Sequence, residues 1–272
     1  MVWFQEFNLS DGEDRALAVA DDSTHLYIAG FAHRGYWDNA WVILKLEKSS
    51  GDSVWSVTID PTGGWDVPTS ITIDSNYIYV GGYTGWSWWP GESRCRIEKR
   101  SIMDGAVIWE EVFDPSDGED AIWALTSDSE YLYLAIGREI PRKWQIEKRR
   151  KSDNSLIWAR IINPSDRDDQ PRSIISDDNN IYIAGYDQLP FPYNSQIRVE
   201  KWDKESGRRI WVVTNNPSSG EDIASALTID EGYIYIAGQD QTRGDYRWRI
   251  EKWSKGLGSL ELKKIEEKIS KR

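Results

Sequence analysis

The sequence predicts an all-β protein folded as a five-bladed β-propeller, because three residue patterns each recur five times in the same order. One is a single tryptophan, found at Trp3, Trp55, Trp109, Trp158 and Trp211. Another is a pair of aspartates eight residues apart, found at Asp14 and Asp22, Asp66 and Asp74, Asp120 and Asp128, Asp169 and Asp177, and Asp222 and Asp230. The last is a Glu-Lys pair, found at Glu47-Lys48, Glu98-Lys99, Glu147-Lys148, Glu200-Lys201 and Glu251-Lys252.

Each repeat of about fifty residues predicts four short strands. In the last repeat, aromatic and β-branched residues dominate four runs, and turn-forming residues separate them. From first to fourth strand type, these runs are residues 223–229, 233–238, 247–253 and 210–214. A small sheet cannot cover either of its faces alone, whereas sheets packed around an axis cover both faces and leave only short edges. Four strands per repeat therefore favour a propeller blade.

The two ends of the chain decide how the ring closes. Residues 2–7 have the pattern of a fourth strand, and the last repeat, which ends near Trp253, lacks one. We predict that this N-terminal strand completes the last blade, because Trp3 keeps the tryptophan pattern. The alternative is closure by residues 259–265, which align with residues 155–161 but lack the tryptophan.

The propeller domain is accordingly predicted over residues 1–258, with a tail at residues 259–272. Leu262, Ile265 and Ile269 lie at helical spacing in this tail. A helix this short is marginal alone in water, so it either docks on the ring, frays, or binds a partner.

The composition limits the classes of partner. The formal net charge is −12 and the pI is about 4.8, which argues against binding to nucleic acid or to anionic membranes. No apolar run approaches the roughly 20 residues of a membrane span and no signal peptide is visible, so we expect a cytoplasmic protein. The single cysteine, Cys95, is expected to be buried in a third strand at the position of Leu44, Trp144, Ile197 and Trp248.

Two sets of charged residues recur. Strand alternation places Arg96 and Glu98 on one face, as in the other third strands, and we interpret these as structural ion pairs of a kind that suits a heat-adapted protein. The first aspartate of each pair is expected to ring one mouth of the central channel. These carboxylates either bind Ca²⁺ or accept hydrogen bonds from their own turns; they are Asp14, Asp66, Asp120, Asp169 and Asp222.

The loops between second and third strands differ in every repeat and contain aromatic residues that core packing does not require. They either fold back onto the blade rim or contact a sugar or protein ligand. The candidates in these loops are Trp37, Trp86, Trp88, Trp89, Phe191 and Tyr193. Within the channel, four first-strand residues break the symmetry of the repeats, namely Arg15, Trp123, Gln170 and Arg172. Trp123 and Arg172 are included among the candidate ligand-binding residues.

The YIYIAG run at residues 233–238 and the segments 99–109 and 148–158, each running from a lysine to a tryptophan, resemble the repeats of bacterial and archaeal β-propeller proteins. The chain is also distantly similar to tachylectin-like sugar-binding propellers and to five-bladed glycoside hydrolases. The resemblance implies the fold and no particular activity, since propellers host binding, scaffolding and catalysis.

The five repeats are similar in sequence and none stands out, which favours a non-enzymatic binding or scaffold protein with a protein or carbohydrate ligand. The alternative is a glycoside hydrolase or lyase, with carboxylates at the channel mouth and Arg172 or Trp123 near the substrate. No residue is assigned a catalytic role and no zinc site is predicted, because His25 and His33 occur in one repeat only.

Overall fold

The computed structural model describes residues 2–86, 92–138, 142–190, 194–242 and 244–256, except for the side chain of Trp86. These residues form nineteen β-strands and no helix, so the all-β prediction is confirmed. Across the same stretches, no helix has the length and apolar character needed to cross a membrane.

The strands form five antiparallel meanders, in which each strand pairs with the next one along the chain. Meander one contains β1 (Asp14–Asp21), β2 (His25–Gly35), β3 (Asp38–Glu47) and β4 (Ser53–Ile59). Meander two contains β5 (Trp65–Ile73), β6 (Tyr77–Trp86), β7 (Arg94–Ser101) and β8 (Val107–Phe113). Meander three contains β9 (Ala121–Ser127), β10 (Tyr131–Arg138), β11 (Lys143–Arg150) and β12 (Leu156–Ile162). Meander four contains β13 (Gln170–Ser176), β14 (Asn180–Leu189), β15 (Asn194–Asp203) and β16 (Arg209–Asn215). Meander five contains β17 (Ile223–Ile229), β18 (Tyr233–Thr242) and β19 (Asp245–Ser254).

The second aspartate of each pair stabilises the hairpin between first and second strands. Asp74 accepts hydrogen bonds from the backbone N–H groups of Asn76 and Tyr77 at 3.0 and 2.9 Å, and from the Tyr79 hydroxyl at 2.9 Å. The corresponding aspartates of the other four meanders make the same three bonds. The aspartate and the tyrosine five residues after it recur in all five meanders and thus stabilise the turn, and in three of them a second tyrosine completes an Asp-x-x-Tyr-x-Tyr pattern.

The apolar core lies between consecutive meanders. Between meanders two and three, for example, Cys95 and Ile97 pack against Leu132 and Ile136, and all four side chains are fully buried. Cys95 is therefore a buried apolar residue, as predicted. Equivalent clusters lie between each other pair of consecutive meanders. Burying both faces of each small sheet in this way is what stabilises the repeat architecture.

In meanders two, three and four, one carbonyl group of the next meander accepts hydrogen bonds from both the third and the fourth strand. The Lys151 carbonyl accepts hydrogen bonds from Lys99 Nζ and from Trp109 Nε1, both at 3.1 Å. The Lys151 ammonium in turn lies 3.2 Å from the carboxylate of Asp74. The same arrangement recurs at Lys204 and at Lys255. The tryptophan and lysine patterns are therefore explained by contacts between neighbouring meanders.

The repeat alignment of meander one needs correction. Lys45 lies opposite Trp55 as Lys99 lies opposite Trp109, so Lys45 is the equivalent residue, and the Glu47-Lys48 pair is not. Trp41, and not Leu44, then corresponds to Cys95. One face of β3 is formed by the apolar residues Val42, Leu44 and Leu46, whereas the same face of the other third strands carries charged or polar residues. The glutamate that marks the register in those strands is therefore missing from β3, and the alignment shifted.

The edge of β19 is unpaired among the described residues, and we call it the open edge. Trp248 is 94% exposed and Ile250 is 76% exposed, although their counterparts in meander three, Trp144 and Ile146, are fully buried. Residues 2–7 pair with no strand among the described residues, so closure of the ring by this segment stays a prediction.

The N-terminal segment nevertheless lies on meander one. Trp3 Nε1 donates to the Lys48 carbonyl at 2.8 Å, as Trp109, Trp158 and Trp211 do to the equivalent carbonyls. Phe7 packs on the apolar face formed by Val42, Leu44 and Leu46. The predicted tail and the alternative closing segment, residues 259–265, lie outside the described residues.

Candidate functional site

Every first strand contains a β-bulge at the same position, three residues after its aspartate. The bulge leaves one residue of the first strand without a cross-strand partner. The five unpaired residues line a single central cavity of about 490 Å³; they are Leu17, Thr69, Trp123, Arg172 and Ser225. Bulges commonly redirect a side chain next to a functional site. Here the repeat places five chemically different side chains around one space.

Trp123 fits its position because of a glycine on the neighbouring strand. A Cβ atom at Gly137 would lie 2.7 Å from Trp123 Nε1, so any larger residue there would displace the indole. Trp123 Nε1 is buried and has no acceptor among the described residues, so packing and not hydrogen bonding orients this ring.

A second cavity of about 240 Å³ adjoins the first and shares Tyr83 and Trp123 with it. The centroids of these two rings are 6.4 Å apart. Trp65 also lines the second cavity, and its ring stacks on Trp37 with centroids 6.1 Å apart and planes at 29°. These two ring pairs meet at the second cavity, which Trp65, Tyr83 and Trp123 line, and we call the four rings from Trp37 to Trp123 the aromatic track.

Both cavities contain charged side chains, Glu119 and Arg142 in the second cavity and Arg172 in the central cavity. In the second cavity, Arg142 Nη2 donates to Glu119 Oε2 at 2.5 Å, and the Arg142 backbone N–H donates to Asp168 at 2.9 Å. Burial raises the pKa of Tyr83 to about 12, and the Glu119 carboxylate adds to this shift. Tyr83 is consequently a neutral phenol at physiological pH.

Arg172 lies in the central cavity between two aromatic rings. Its guanidinium carbon is 5.1 Å from the centroid of Trp123 and 5.8 Å from that of Tyr186, distances typical of cation–π contacts. Burial lowers the pKa of Arg172, and the positive charge of Arg142 lowers it further. At this depth the guanidinium stays charged, because an arginine pKa starts far above neutrality.

The first aspartate of each pair accepts hydrogen bonds from its own turn, which is the second of the two roles considered for these carboxylates. Asp120 is fully buried and accepts from the backbone N–H and hydroxyl of Ser116 at 2.9 and 2.8 Å. The other four carboxylates each accept from the hydroxyl four residues before them, at Ser10, Thr62, Ser165 and Ser218. In the described stretches, no group of three or more His, Cys, Asp or Glu side chains is placed to hold a metal ion. The calcium hypothesis stays a prediction, which a calcium titration of the melting temperature tests.

The predicted site residues fall into three groups. Trp123 and Arg172 meet in the central cavity, and Trp37 reaches the same track through Trp65. Trp86 ends strand β6, but its side chain lies outside what the structure describes, as do Trp88, Trp89, Phe191 and Tyr193. Of the other first-strand candidates, Arg15 is exposed and bonds to Glu13, and Gln170 is buried and bonds to Tyr186, so neither lines the central cavity.

Trp37 also has an unusual backbone. It is in the tight turn between β2 and β3 with a φ of +73°, a conformation that bulky residues rarely adopt. Such strain is retained chiefly where function requires it. The loop predicted at residues 31–39 is mostly strand, so Trp37 is held by a hairpin and not by a long loop.

Several residues that line the two cavities were not predicted from the sequence. They include Leu17, Thr69 and Ser225 in the central cavity and Trp65, Tyr83, Glu119 and Arg142 in or beside the second cavity. A constant spacing of three residues from the aspartate was available as a signal for the first three. It was overlooked because a bulge is invisible to the alternation of polar and apolar residues.

Comparisons with known proteins support the fold. No protein-family profile and no curated protein sequence matches the chain. A neuraminidase-like protein from A/bat/Guatemala/164/2009 aligns with a TM-score of 0.58 at 12% identity, covering 88% of this chain and 70% of that one. The quinohemoprotein alcohol dehydrogenase of Comamonas testosteroni aligns with a TM-score of 0.56 at 14% identity, covering 89% and 40%. The exo-β-1,3-galactanase of Phanerochaete chrysosporium aligns with a TM-score of 0.53 at 9% identity, covering 86% and 59%.

The chain thus spans 40% of the dehydrogenase and 59% of the galactanase. These proteins are β-propellers, so the propeller fold predicted from the repeats is confirmed. Identities this low support the fold alone.

Proposed function

We propose that the two adjoining cavities bind a carbohydrate. The observation that supports this is the bulge position, where five equivalent backbone sites present five different side chains beside an aromatic track. Sugars offer apolar ring faces that stack on indole and phenol rings, and hydroxyl groups that hydrogen-bond to polar side chains. A track from Trp37 to Trp123 suits an oligosaccharide better than a single sugar.

The solved structures similar in fold include the galactanase, which was determined with β-1,3-galactotriose. This likeness bears on the fold, and it is compatible with a carbohydrate ligand. Several of the similar propellers are glycoside hydrolases, so hydrolysis is considered as an alternative to binding without activity.

Hydrolysis is therefore the second candidate function. A glycoside hydrolase needs two carboxyl groups about 5–10 Å apart. Among the described residues that line the two cavities, Glu119 is the only carboxylate. The Asp120 carboxyl has a pKa raised to about 7 by burial and by Asp114, but it is held in its own turn. Binding is accordingly the primary proposal, and Glu119 is the residue to test for catalysis.

The test compares Trp123→Leu with Trp37→Ala by calorimetry on oligosaccharides of one to five sugars. Trp123→Leu is expected to weaken every length at least tenfold, because the inner stacking surface is lost. Trp37→Ala should weaken only the longer oligosaccharides, which reach the rim. A panel that shows no binding to the folded wild-type protein contradicts the proposal.

Product analysis on the same panel separates the two candidates. A binder leaves the oligosaccharides intact. A hydrolase shortens them, and Glu119→Gln then abolishes turnover while retaining affinity.

We also propose that the five meanders are the blades of a closed ring, with residues 2–7 as the fourth strand of meander five. The support is that five bulge residues, one from each meander, line one cavity. Meander one also offers Trp3, the Lys48 carbonyl and an apolar face at the positions that contact the preceding blade elsewhere.

A further inference from the structure

Arg172 is a partly buried cation that has no carboxylate partner among the described residues. Its contacts among the described residues are the ring of Trp123 and the ring and hydroxyl of Tyr186. The Tyr186 hydroxyl in turn donates to Gln170 Oε1 at 3.3 Å. The two aromatic rings contact the guanidinium carbon, and neither ring supplies an anionic acceptor for its N–H groups.

The other buried arginines of the described stretches are compensated. Arg96, Arg149 and Arg198 each lie within 3.2 Å of one or more carboxylates. Arg142, at the edge of the second cavity, is paired with Glu119 and Asp168. Among the described residues that line the two cavities, Arg172 is thus the one arginine without a carboxylate beside it, in a chain with a net charge of −12. A half-buried cation without a counter-ion is a favourable position for the anionic group of a ligand, because the ion pair then forms in a site partly removed from water.

The lining of the central cavity is consistent with an anionic ligand. Its described residues comprise one cation, Arg172, and no carboxylate. The remaining polar groups are Ser225 and Gln239, with Thr69 and Tyr83, and the apolar surface includes the Trp123 ring. A planar guanidinium binds a carboxylate through two parallel hydrogen bonds, and an indole beside it stacks on a sugar ring.

We infer that the central cavity binds a sugar that bears a carboxylate group, with Arg172 as the residue that binds the carboxylate and Trp123 as the surface under the sugar ring. This inference rests on the proposed carbohydrate site and specifies its ligand class. An acidic peptide would satisfy the charge but would leave the aromatic track without sugar faces to stack on it, so the sugar is favoured.

The experiment uses the full chain and measures affinity by calorimetry for trigalacturonate, for neutral galactotriose and for tetraglutamate. The wild-type protein is expected to bind trigalacturonate at least tenfold more tightly than galactotriose, and added salt should reduce only the former affinity. Arg172→Gln should reduce trigalacturonate affinity by about tenfold or more, the usual scale for a lost charge-assisted hydrogen bond. The neutral sugar should bind Arg172→Gln as it binds the wild type.

Arg160→Gln is the matched control. Arg160 also lies over an indole, with its guanidinium carbon 5.5 Å from the Trp158 centroid, but it bonds to backbone carbonyls outside the cavity. Its substitution should leave both affinities unchanged. Thermal melts confirm that each variant is folded.

The outcomes are separable. Equal affinity for acidic and neutral sugars, unaffected by Arg172→Gln, overturns the carboxylate inference and leaves the carbohydrate site intact. Binding of tetraglutamate without trigalacturonate overturns the choice of a sugar. Binding of no saccharide to a folded protein overturns the proposed function as well.

Discussion

The carboxyl groups of Asp114 and Asp120 are neighbours at the entrance to meander three. Burial of Asp120, together with the neighbouring Asp114 carboxyl, raises the pKa of Asp120 to about 7, so the pair shares a proton near neutrality. In later repeats the position of Asp114 is held by Asn163 and Asn216. With its amide suitably oriented, Asn216 donates to the Asp222 carboxylate at 2.9 Å.

Asp114→Asn should therefore stabilise the protein at high pH. The native pKa of Asp120 is about 7, above its ordinary value of 3.8, so the native state binds more protons than the unfolded state between these values. The free energy of unfolding consequently falls as the pH rises from about 4 to about 7. An amide donor at position 114 lowers the pKa of Asp120 and reduces this loss; burial keeps part of it, as at Asp169, whose pKa is about 6 although Asn163 holds the equivalent position. We expect about 1 kcal/mol of stabilisation at pH 8 and little change at pH 5, measured by urea unfolding.

Asp60→Asn provides the control at the same position of another repeat. The Asp60 carboxylate faces Arg34 at 3.8 Å and does not contact the Asp66 carboxylate as Asp114 contacts Asp120. The Asp60 charge adds to the burial that raises the pKa of Asp38, so its replacement has a pH-dependent effect there, but it should leave the pKa of Asp66 unchanged and flatten the pH dependence less than Asp114→Asn does. If both variants behave alike, the proton shared by Asp114 and Asp120 is not the cause.

At the scale of single strands, the same face of the third strand carries ion pairs in β7 and apolar residues in β3. In β7, Glu98 is fully buried between Arg96 and Arg100, with N–O distances of 2.5 Å to each. In β3 the equivalent positions are Val42, Leu44 and Leu46. The face thus accepts either an ion-pair row or an apolar row.

Glu98→Gln should destabilise the protein strongly. It leaves two buried guanidinium groups with an uncharged neighbour, which costs about 3 kcal/mol. The triple variant Arg96→Val, Glu98→Leu, Arg100→Leu copies the apolar row of β3 and should recover most of that stability, because well-packed apolar residues replace buried ion pairs with little loss. Urea unfolding of the three proteins measures both effects. A triple variant less stable than Glu98→Gln contradicts this explanation.

The sequence predicted strands well where the Asp-x-x-Tyr-x-Tyr pattern fixed a hairpin and where aromatic runs marked a second strand. It failed at β3, because an apolar row there removed the glutamate that marked the register in other repeats. It also failed to predict the bulges, and with them three of the five channel residues, because a bulge depends on cross-strand pairing. Local patterns record which residues a strand contains, and the partner strand decides where each side chain points.

At the scale of the whole molecule, the fold follows from repetition, since each meander needs a neighbour on both faces. Closure of the ring depends on contacts between residues almost the whole chain apart, which no local pattern records. The two surfaces that the proposed ring joins are complementary. Meander five exposes Trp248 and Ile250, and the N-terminal segment already covers Lys48 and the apolar face of meander one. Elsewhere these same positions are buried between neighbouring blades.

Ring closure predicts a specific strand register. If Trp3 lies opposite Lys252, as Trp109 lies opposite Lys99, then Gln5 lies opposite Ile250, as Glu111 lies opposite Ile97. The variant with Gln5→Cys and Ile250→Cys should form an intramolecular disulfide on mild oxidation. The native Cys95 is fully buried, and burial raises the pKa of its thiol, so it does not compete. Faster migration on a non-reducing denaturing gel detects the closed loop, and the melting temperature should rise because the unfolded chain is constrained.

Two controls make the result decisive. Gln5→Cys with Asp245→Cys places the second thiol at the other end of β19, so this pair should not close. Removal of residues 2–7 should lower the melting temperature, whereas removal of residues 257–272 should not; closure by residues 259–265 predicts the reverse. Disulfides that form only between chains would mean that the N-terminal segment of one copy completes the open edge of another. In that case the propeller is an assembly of exchanged strands, and the central cavity is complete only in the oligomer.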